Sequence, residues 1–236
     1  MSLQKILIIY AGLNLIVSFY IYSIVPEFTL RFFTWVLSRC LYRLHTHHEN
    51  HIPKNGAALL VCNHVTFVDW LIIAASIKRP ICFVMYYKFY QIPILKYLLR
   101  QAKVIPIAGQ KEDLNIFKKA FDQVSKELRD GNLVCIFPEG MITTDGKMNP
   151  FRNGVEHILA RDPVPVIPMG LTGMWGSIFS HKDGKALKKI PRRIHFPVHL
   201  NIGKALDPKT YKSPTASDLQ VKVKDLCGVK THQQTT

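Results

Sequence analysis

Several familiar features are missing from this chain. Acidic side chains are scarce: 16 Asp and Glu stand against 31 Lys and Arg in 236 residues, a formal charge of +15. Cysteines number five, at positions 40, 62, 82, 135 and 227, and no two stand in C-x-x-C spacing. An odd count without that spacing excludes a disulfide framework and a zinc ribbon. Cys62, Cys82 and Cys135 lie inside apolar runs, where buried reduced thiols in a reducing compartment are expected. There is no internal repeat, no low-complexity linker and no G-x-S-x-G, so a serine nucleophile elbow is absent. No nucleic-acid motif accompanies the positive charge. Intrinsic disorder is excluded by 48% hydrophobic and only 20% charged residues. The length fits one domain with an appended segment. The charge balance implies an anionic partner.

What is present begins at the N-terminus. Ile6 to Val25 carries no charge, and twenty helical residues rise about 30 Å, the thickness of a hydrocarbon core. The rivals are a buried soluble helix and a cleaved signal peptide. Tyr22-Ser23-Ile24-Val25-Pro26 lacks the small-x-small pattern that cleavage needs. After Pro26, Phe28, Leu30, Phe32, Phe33, Trp35, Val36, Leu37, Leu41 and Leu44 are apolar. Arg31, Arg39 and Arg43 fall within about 120° of one another at 100° per residue. An aromatic-rich helix with an arginine stripe suits a membrane interface. Only Lys5 precedes the apolar run, whereas three arginines follow it closely. The positive-inside bias places the remainder on the cytoplasmic face. Residues 1–45 are thus expected to form a membrane-spanning or interfacial helical segment, and 46–236 a separate domain.

From residue 52 onward, apolar runs alternate with helical periodicity. Strands are expected at Ala57–Cys62, Ile81–Met85, Lys103–Ile107, Leu133–Phe137, Val164–Met169 and Ile194–Ile202. These runs are short, β-branched and apolar on both faces, as in a covered parallel sheet. Helices are expected at Thr66–Ile77, Ile94–Arg100, Asp113–Arg129 and Gly154–Arg161. In the third, Leu114, Phe117, Phe121, Val124 and Leu128 follow helical spacing, and Asp130-Gly131 stops it. The fold class is α/β: a mostly parallel central sheet wrapped by helices, preceded by N-terminal membrane-associating helices. Ligands in such sheets bind beyond the carboxyl ends of the strands, so the loops after strands carry the candidate chemistry.

The first such loop reads Asn63-His64-Val65-Thr66-Phe67-Val68-Asp69. On a continuous helix His64 and Asp69 would stand about 140° apart. They meet if His64 stays in the loop and Asp69 opens the helix. Thr66-x-x-Asp69 reads as a capping box, with Thr66 as N-cap. Two roles stay open: Asp69 as a cap beside a loop histidine, or a histidine general base held in one tautomer by a carboxylate. The next loop, Pro138-Glu139-Gly140, puts a carboxylate at the mouth of the sheet and a glycine where backbone can approach a ligand. Arg152, just before a helix start, could fork onto a phosphate.

These residues together resemble the ordered motifs of the glycerolipid acyltransferases, the family of 1-acylglycerol-3-phosphate acyltransferase. The matching motifs are Asn63-His64-x4-Asp69, Phe137-Pro138-Glu139-Gly140, Phe151-Arg152-x-Gly154 and Val164-Pro165-Val166-Ile167-Pro168. The resemblance covers about residues 52–206. Leu133–Ser180, with Asp145-Gly146-Lys147-Met148-Asn149-Pro150 and Trp175-Gly176-Ser177, looks closest to the acyltransferase domain of 2-acylglycerophosphoethanolamine acyltransferases. The resemblance implies His64 as general base and Asp69 as its partner. It implies acceptor-side roles for Asn63, Phe137, Pro138, Glu139, Gly140 and Arg152, and a site wall ending at Pro168. It implies no cofactor and no metal, with acyl-CoA or acyl carrier protein as co-substrate. Membrane phospholipids are the implied partners, and domain fusions in that branch imply association with a lysolipid transporter or an acyl-activating enzyme.

The implied reaction moves a fatty acyl group to the free hydroxyl of a lysophospholipid, in phospholipid synthesis or remodelling. The alternative is a 1-acylglycerol-3-phosphate acyltransferase making phosphatidate. Two departures favour the first. Met141-Ile142-Thr143 follows Gly140 where an arginine is usual, and Val104-Ile105-Pro106-Ile107 lacks a terminal arginine, with Lys103 before it. A phosphodiester carries less charge and needs fewer cations. The rivals are a thioesterase or lipid hydrolase, a non-catalytic membrane-lipid-binding protein, and a metal site built from His45, His47, His48, His51 and Glu49, of which His45 and His47 would share one strand face. Lys182, Lys185, Lys188, Lys189, Arg192 and Arg193 face only Asp183 across 182–193. They form an expected phospholipid-facing or donor-facing patch.

Overall fold

A computed structural model describes residues 2–24, 32, 35–36, 39–182, 184, 195–211 and 214–229. Seven strands make one sheet: β1 Tyr42–His47, β2 Ala58–Cys62, β3 Ile81–Tyr86, β4 Ile105–Ile107, β5 Leu133–Ile136, β6 Val166–Thr172 and β7 Phe196–Ile202. Their spatial order is β1-β7-β6-β2-β5-β3-β4. Every pairing is parallel except β6 with β7. The five strands β2 to β6 therefore point one way, and β1 and β7 run against them. The mostly parallel α/β architecture expected from the sequence is the one observed.

The helices are α1 Leu3–Ile24, α2 Asp69–Ser76, α3 Pro93–Gln101, α4 Leu114–Arg129, α5 Gly154–Arg161 and α6 Ala216–Gly228. Alternation along β2 decides which helices cover which face. Leu60 and Cys62 point into a core shared with Ile72 and Ile73 of α2 and Leu99 of α3. Leu59 and Val61 point into a core shared with Val124 of α4, Ile158 of α5 and Leu219 of α6. Every residue of β2 is buried. Burial on both faces is why this strand reads as a continuous apolar run.

α4 starts where the sequence places it, because the Asp113 carboxylate accepts from the N–H groups of Asn115 and Ile116, each at 2.9 Å. Two elements differ from the sequence reading. Tyr42–Leu44, read as the end of the second N-terminal helix, are strand. Tyr42 and Leu44 face the core while Arg43 and His45 face outward, a period-two pattern that overlaps helical spacing over so few residues. α6 was not expected at all. It opens on a capping box between Thr215 and Asp218.

Of the second N-terminal helix, residues 32, 35–36 and 39–41 are helical, and the rest lie outside the described residues. There Phe32 stacks on Trp35, and the Arg39 guanidinium lies 5.1 Å from the Trp35 ring centre. α1 exposes Leu7, Ile8, Tyr10, Leu13, Leu15 and Ile16. Among the described residues no helix is long and apolar enough to cross a membrane. Apart from Lys182 and Gly184, the basic run 182–193 lies outside the described residues, as does Ile194.

Candidate active site

The loop after β2 is organised around one buried carboxylate. Asp69 is 0% exposed. Its Oδ2 accepts from the peptide N–H of Val65 at 2.6 Å, from that of Thr66 at 2.9 Å, and from His64 Nδ1 at 2.9 Å. Its Oδ1 accepts from the Thr66 hydroxyl at 2.6 Å. Four donors compensate the desolvation of this charge. The expected capping box is not formed. The helix starts at Asp69 itself, behind Val68, and no side chain caps it. Only the carboxylate's half of the box is present: Asp69 accepts the Thr66 N–H, while the Thr66 hydroxyl accepts from the Val68 N–H and not from that of Asp69.

Because a carboxylate accepts at Nδ1, that nitrogen carries the proton and Nε2 presents its lone pair. His64 Nε2 has no protein hydrogen-bond partner among the described residues, and the side chain is 20% exposed. The ring is not loose: it stacks on Phe137 with centres 4.3 Å apart and planes 20° apart. The arrangement is a steered, partly open imidazole at the carboxyl ends of the parallel strands.

The loop after β5 grips the same histidine from its backbone. Glu139 is 2% exposed. Its Oε1 accepts from the His64 N–H at 2.7 Å and its Oε2 from the Asn149 N–H at 2.7 Å. Burial pushes the Glu139 carboxyl up, against the pull of those two N–H groups. The Thr143 N–H donates to the His64 carbonyl at 3.1 Å, and the Arg152 N–H to the Pro138 carbonyl at 2.9 Å. Gly140 has φ +68°, and a Cβ there would lie 2.9 Å from the Arg152 guanidinium carbon. The Arg152 side chain therefore crosses this glycine, exposed and without a carboxylate partner among the described residues.

Not every expected site residue joins this group. His64, Asp69, Phe137, Pro138, Glu139, Gly140 and Arg152 come together. Asn63 is 5% exposed, and both ends of its amide are committed to β6: Nδ2 donates to the Leu171 carbonyl at 2.9 Å and Oδ1 accepts the Leu171 N–H at 2.7 Å. Pro168 sits inside β6 opposite Val61, its carbonyl accepting from the Gly203 N–H at 2.8 Å. Both residues brace the sheet beneath the loops. Thr143 was not singled out by the sequence, because a backbone donor has no side-chain signature.

The histidine-rich segment behaves differently. His199 stacks on His45 at 4.9 Å and on His47 at 5.6 Å, with planes within 16°. His47 Nε2 and His199 Nδ1 are 3.3 Å apart, one donating and one accepting. Among the described residues no group of three or more His, Cys, Asp or Glu is arranged to hold a metal ion. The rival metal reading of His45, His47, His48, His51 and Glu49 therefore has no support in the geometry of the described residues. The five cysteines are free thiols, and Cys62, Cys82 and Cys135 are buried as their apolar surroundings predict.

Fold and site together define a class: an α/β protein with a carboxylate-steered histidine at the ends of parallel strands. The architecture is shared with the crystal structure of the 1-acyl-sn-glycerophosphate acyltransferase PlsC from Thermotoga maritima. The TM-score is 0.67 at 21% identity, over 97% of this chain and 91% of that one. The acyltransferase family model matches residues 43–172, more than half of the chain, and the chain belongs to that family of acyl-transferring enzymes. Relatives include a chloroplastic 1-acyl-sn-glycerol-3-phosphate acyltransferase of Brassica napus, 28% identical over 160 residues. A probable 1-acyl-sn-glycerol-3-phosphate acyltransferase of Mycoplasma pneumoniae is 24% identical over 137 residues. The matches cover 64% and 56% of this chain, which spans 43% and 50% of the length of those relatives.

Proposed function

We propose that the chain moves a fatty acyl group from a thioester, acyl-CoA or acyl carrier protein, to the free hydroxyl of a lysophospholipid. The observation that carries this reading is His64, with Nδ1 held by Asp69 and Nε2 unoccupied by protein, at the rim of the sheet. His64 Nε2 takes the hydroxyl proton as that oxygen attacks the thioester carbonyl. The new C–O bond forms, and the carbonyl electrons move onto oxygen. As that oxyanion collapses, the C–S bond breaks and the leaving thiolate takes the proton from His64. Asp69 stabilises the imidazolium between these steps without itself being protonated. General-base assistance of this kind contributes roughly 10²–10⁴ in rate. No serine or cysteine of the chain is needed as nucleophile. Burial pushes the thiols of Cys62 and Cys135 up, away from the thiolate form.

The acceptor side is assigned to Arg152, crossing Gly140, as the phosphate ligand, with Phe137 and Pro138 lining the approach. Asn63 and Pro168 support these loops from below. A second reading, transfer to 1-acylglycerol-3-phosphate to give phosphatidate, is favoured by the names of the relatives. It fits an unpaired Arg152 as well as the diester reading does.

Attachment to the cytoplasmic face of a membrane is supported by the charge-free run Ile6–Val25 and the arginines that follow it. β1 runs against β2, so Tyr42 stands at the same end of the sheet as His64. The chain thus enters the sheet at the end that carries the site, on an edge strand separated from β2 by β7 and β6. A matrix of both donors against lysophosphatidate and several lysophosphodiesters, read by product mass, tests the function. Ester product is expected only with a lysolipid. Free fatty acid formed equally well without one would make the protein a thioesterase and end the transferase reading.

A further inference from the structure

Glu139 has been given an acceptor-side role by resemblance, yet it is buried beneath the loops and not open to an acceptor. It is 2% exposed, and each carboxylate oxygen already receives a peptide N–H at 2.7 Å, from His64 and from Asn149. No Lys or Arg neutralises it among the described residues. A buried carboxylate without a cation is costly unless fixed donors hold it, and here the donors are the backbone of two functional loops. The Thr143 N–H holds the His64 carbonyl from the same side. Both main-chain groups of His64 are therefore bonded to the segment after β5, while its ring is bonded to Asp69.

We infer that Glu139 is a positioning residue: it fixes the His64 backbone against the strand-β5 loop and, through Asn149, ties the base to the segment that carries Arg152. Asn149 stands three residues before Arg152, so the base and the phosphate ligand are referenced to one carboxylate. Misplacement of a reacting group by about 1 Å costs roughly 10² in rate. Burial raises the carboxyl's proton affinity and the two N–H bonds lower it. Burial is the larger of the two effects, and the carboxyl lies above its ordinary value. The inference rests on His64 being the base.

The test has two readouts. In the full chain, Glu139→Gln keeps shape and one accepting oxygen but faces one of the two N–H donors with an NH2 group. With saturating donor and varied acceptor, kcat is expected to fall at least about tenfold while the acceptor KM changes less than about threefold. Glu139→Asp, which keeps the charge, should recover part of kcat. A raised acceptor KM at unchanged kcat, or no change in either, would overturn the inference. The second readout needs no variant and no activity: hydrogen exchange at the His64 and Asn149 amides of the unsubstituted protein. Protection like that of the β2 and β5 strand amides supports the clamp, and exchange as fast as exposed loop amides sinks it. If no acceptor is acylated at all, the functional reading fails, and amide protection still decides whether Glu139 holds the loop.

Discussion

The pattern Thr-x-x-Asp occurs at Thr66–Asp69 and again at Thr215–Asp218, and the two copies do different work. At the second, both partners are exposed. The Thr215 hydroxyl accepts the Asp218 N–H, and the Asp218 carboxylate accepts the Thr215 N–H at 3.1 Å. That is a helix cap and nothing else. At the first, the aspartate is 0% exposed, and the helix begins one full pattern later, at Asp69 itself. Its carboxylate holds two loop N–H groups, a hydroxyl and an imidazole. Four residues of sequence set the reach of the carboxylate. Whether a histidine stands within that reach, and whether water is excluded, is set by what packs around the loop.

The comparison can be broken from its strong end first. His64→Ala should lower acyl transfer by roughly 10²–10⁴ with little change in Tm, since the ring is partly exposed. Retained turnover would remove the base from the scheme. Asp69→Asn should be nearly as severe for transfer, because the amide's NH2 favours the wrong tautomer. It should also lower stability by roughly 1–3 kcal/mol, because buried N–H groups lose their acceptor. A stability loss with normal activity of the folded fraction would reduce Asp69 to a structural brace. Asp218→Asn should leave transfer unchanged and lower Tm only slightly. The Thr215 bonds hold the Asp218 carboxyl below its ordinary value, so its contribution is present at neutral pH. It is lost as pH falls below the ordinary 3.8 and through the lowered value. Any effect on kcat would blur the distinction between the two copies.

The smallest effect concerns the stacked histidines. Burial first, then neighbouring imidazoles, lowers the pKa of His47 and of His199. Between those lowered values and the ordinary 6.5 the unfolded chain binds more protons. Stability therefore rises with pH through that window and is lost on acidification. His199→Gln should flatten the Tm difference between pH 5 and pH 7.5 without altering transfer at neutral pH. An unchanged slope would show that these imidazoles do not sense one another.

Much of the frame was legible beforehand, and the reasons are local. β2, β5 and β6 announce themselves because strands buried on both faces cannot carry polar residues. α4 announces itself through its apolar spacing and the Asp113 cap. β1 is hidden in the sequence because Leu41, Arg43 and Leu44 extend a helical pattern by chance, and an edge strand with one wet face has little else to mark it. α6 carries the same Thr-x-x-Asp signal as Thr66–Asp69, and at Thr215–Asp218 that signal does open a helix. Of the site, residues acting through side chains were found. Those acting through the peptide, such as Thr143, were not, because every residue type carries the same N–H.

The sequence by itself determined the alternation of strands and helices, the basic character, and the order in which a histidine, a carboxylate and an arginine follow their strands. These are local consequences of periodicity and composition. Only the tertiary structure decided that Asp69 faces His64 rather than its own helix, that Asn63 braces β6, and that Glu139 meets the base from 75 residues away. The contacts of Asn63 and Glu139 depend on β2 lying between β6 and β5 in the sheet, and strand order is fixed by long-range packing that no short stretch of chain encodes.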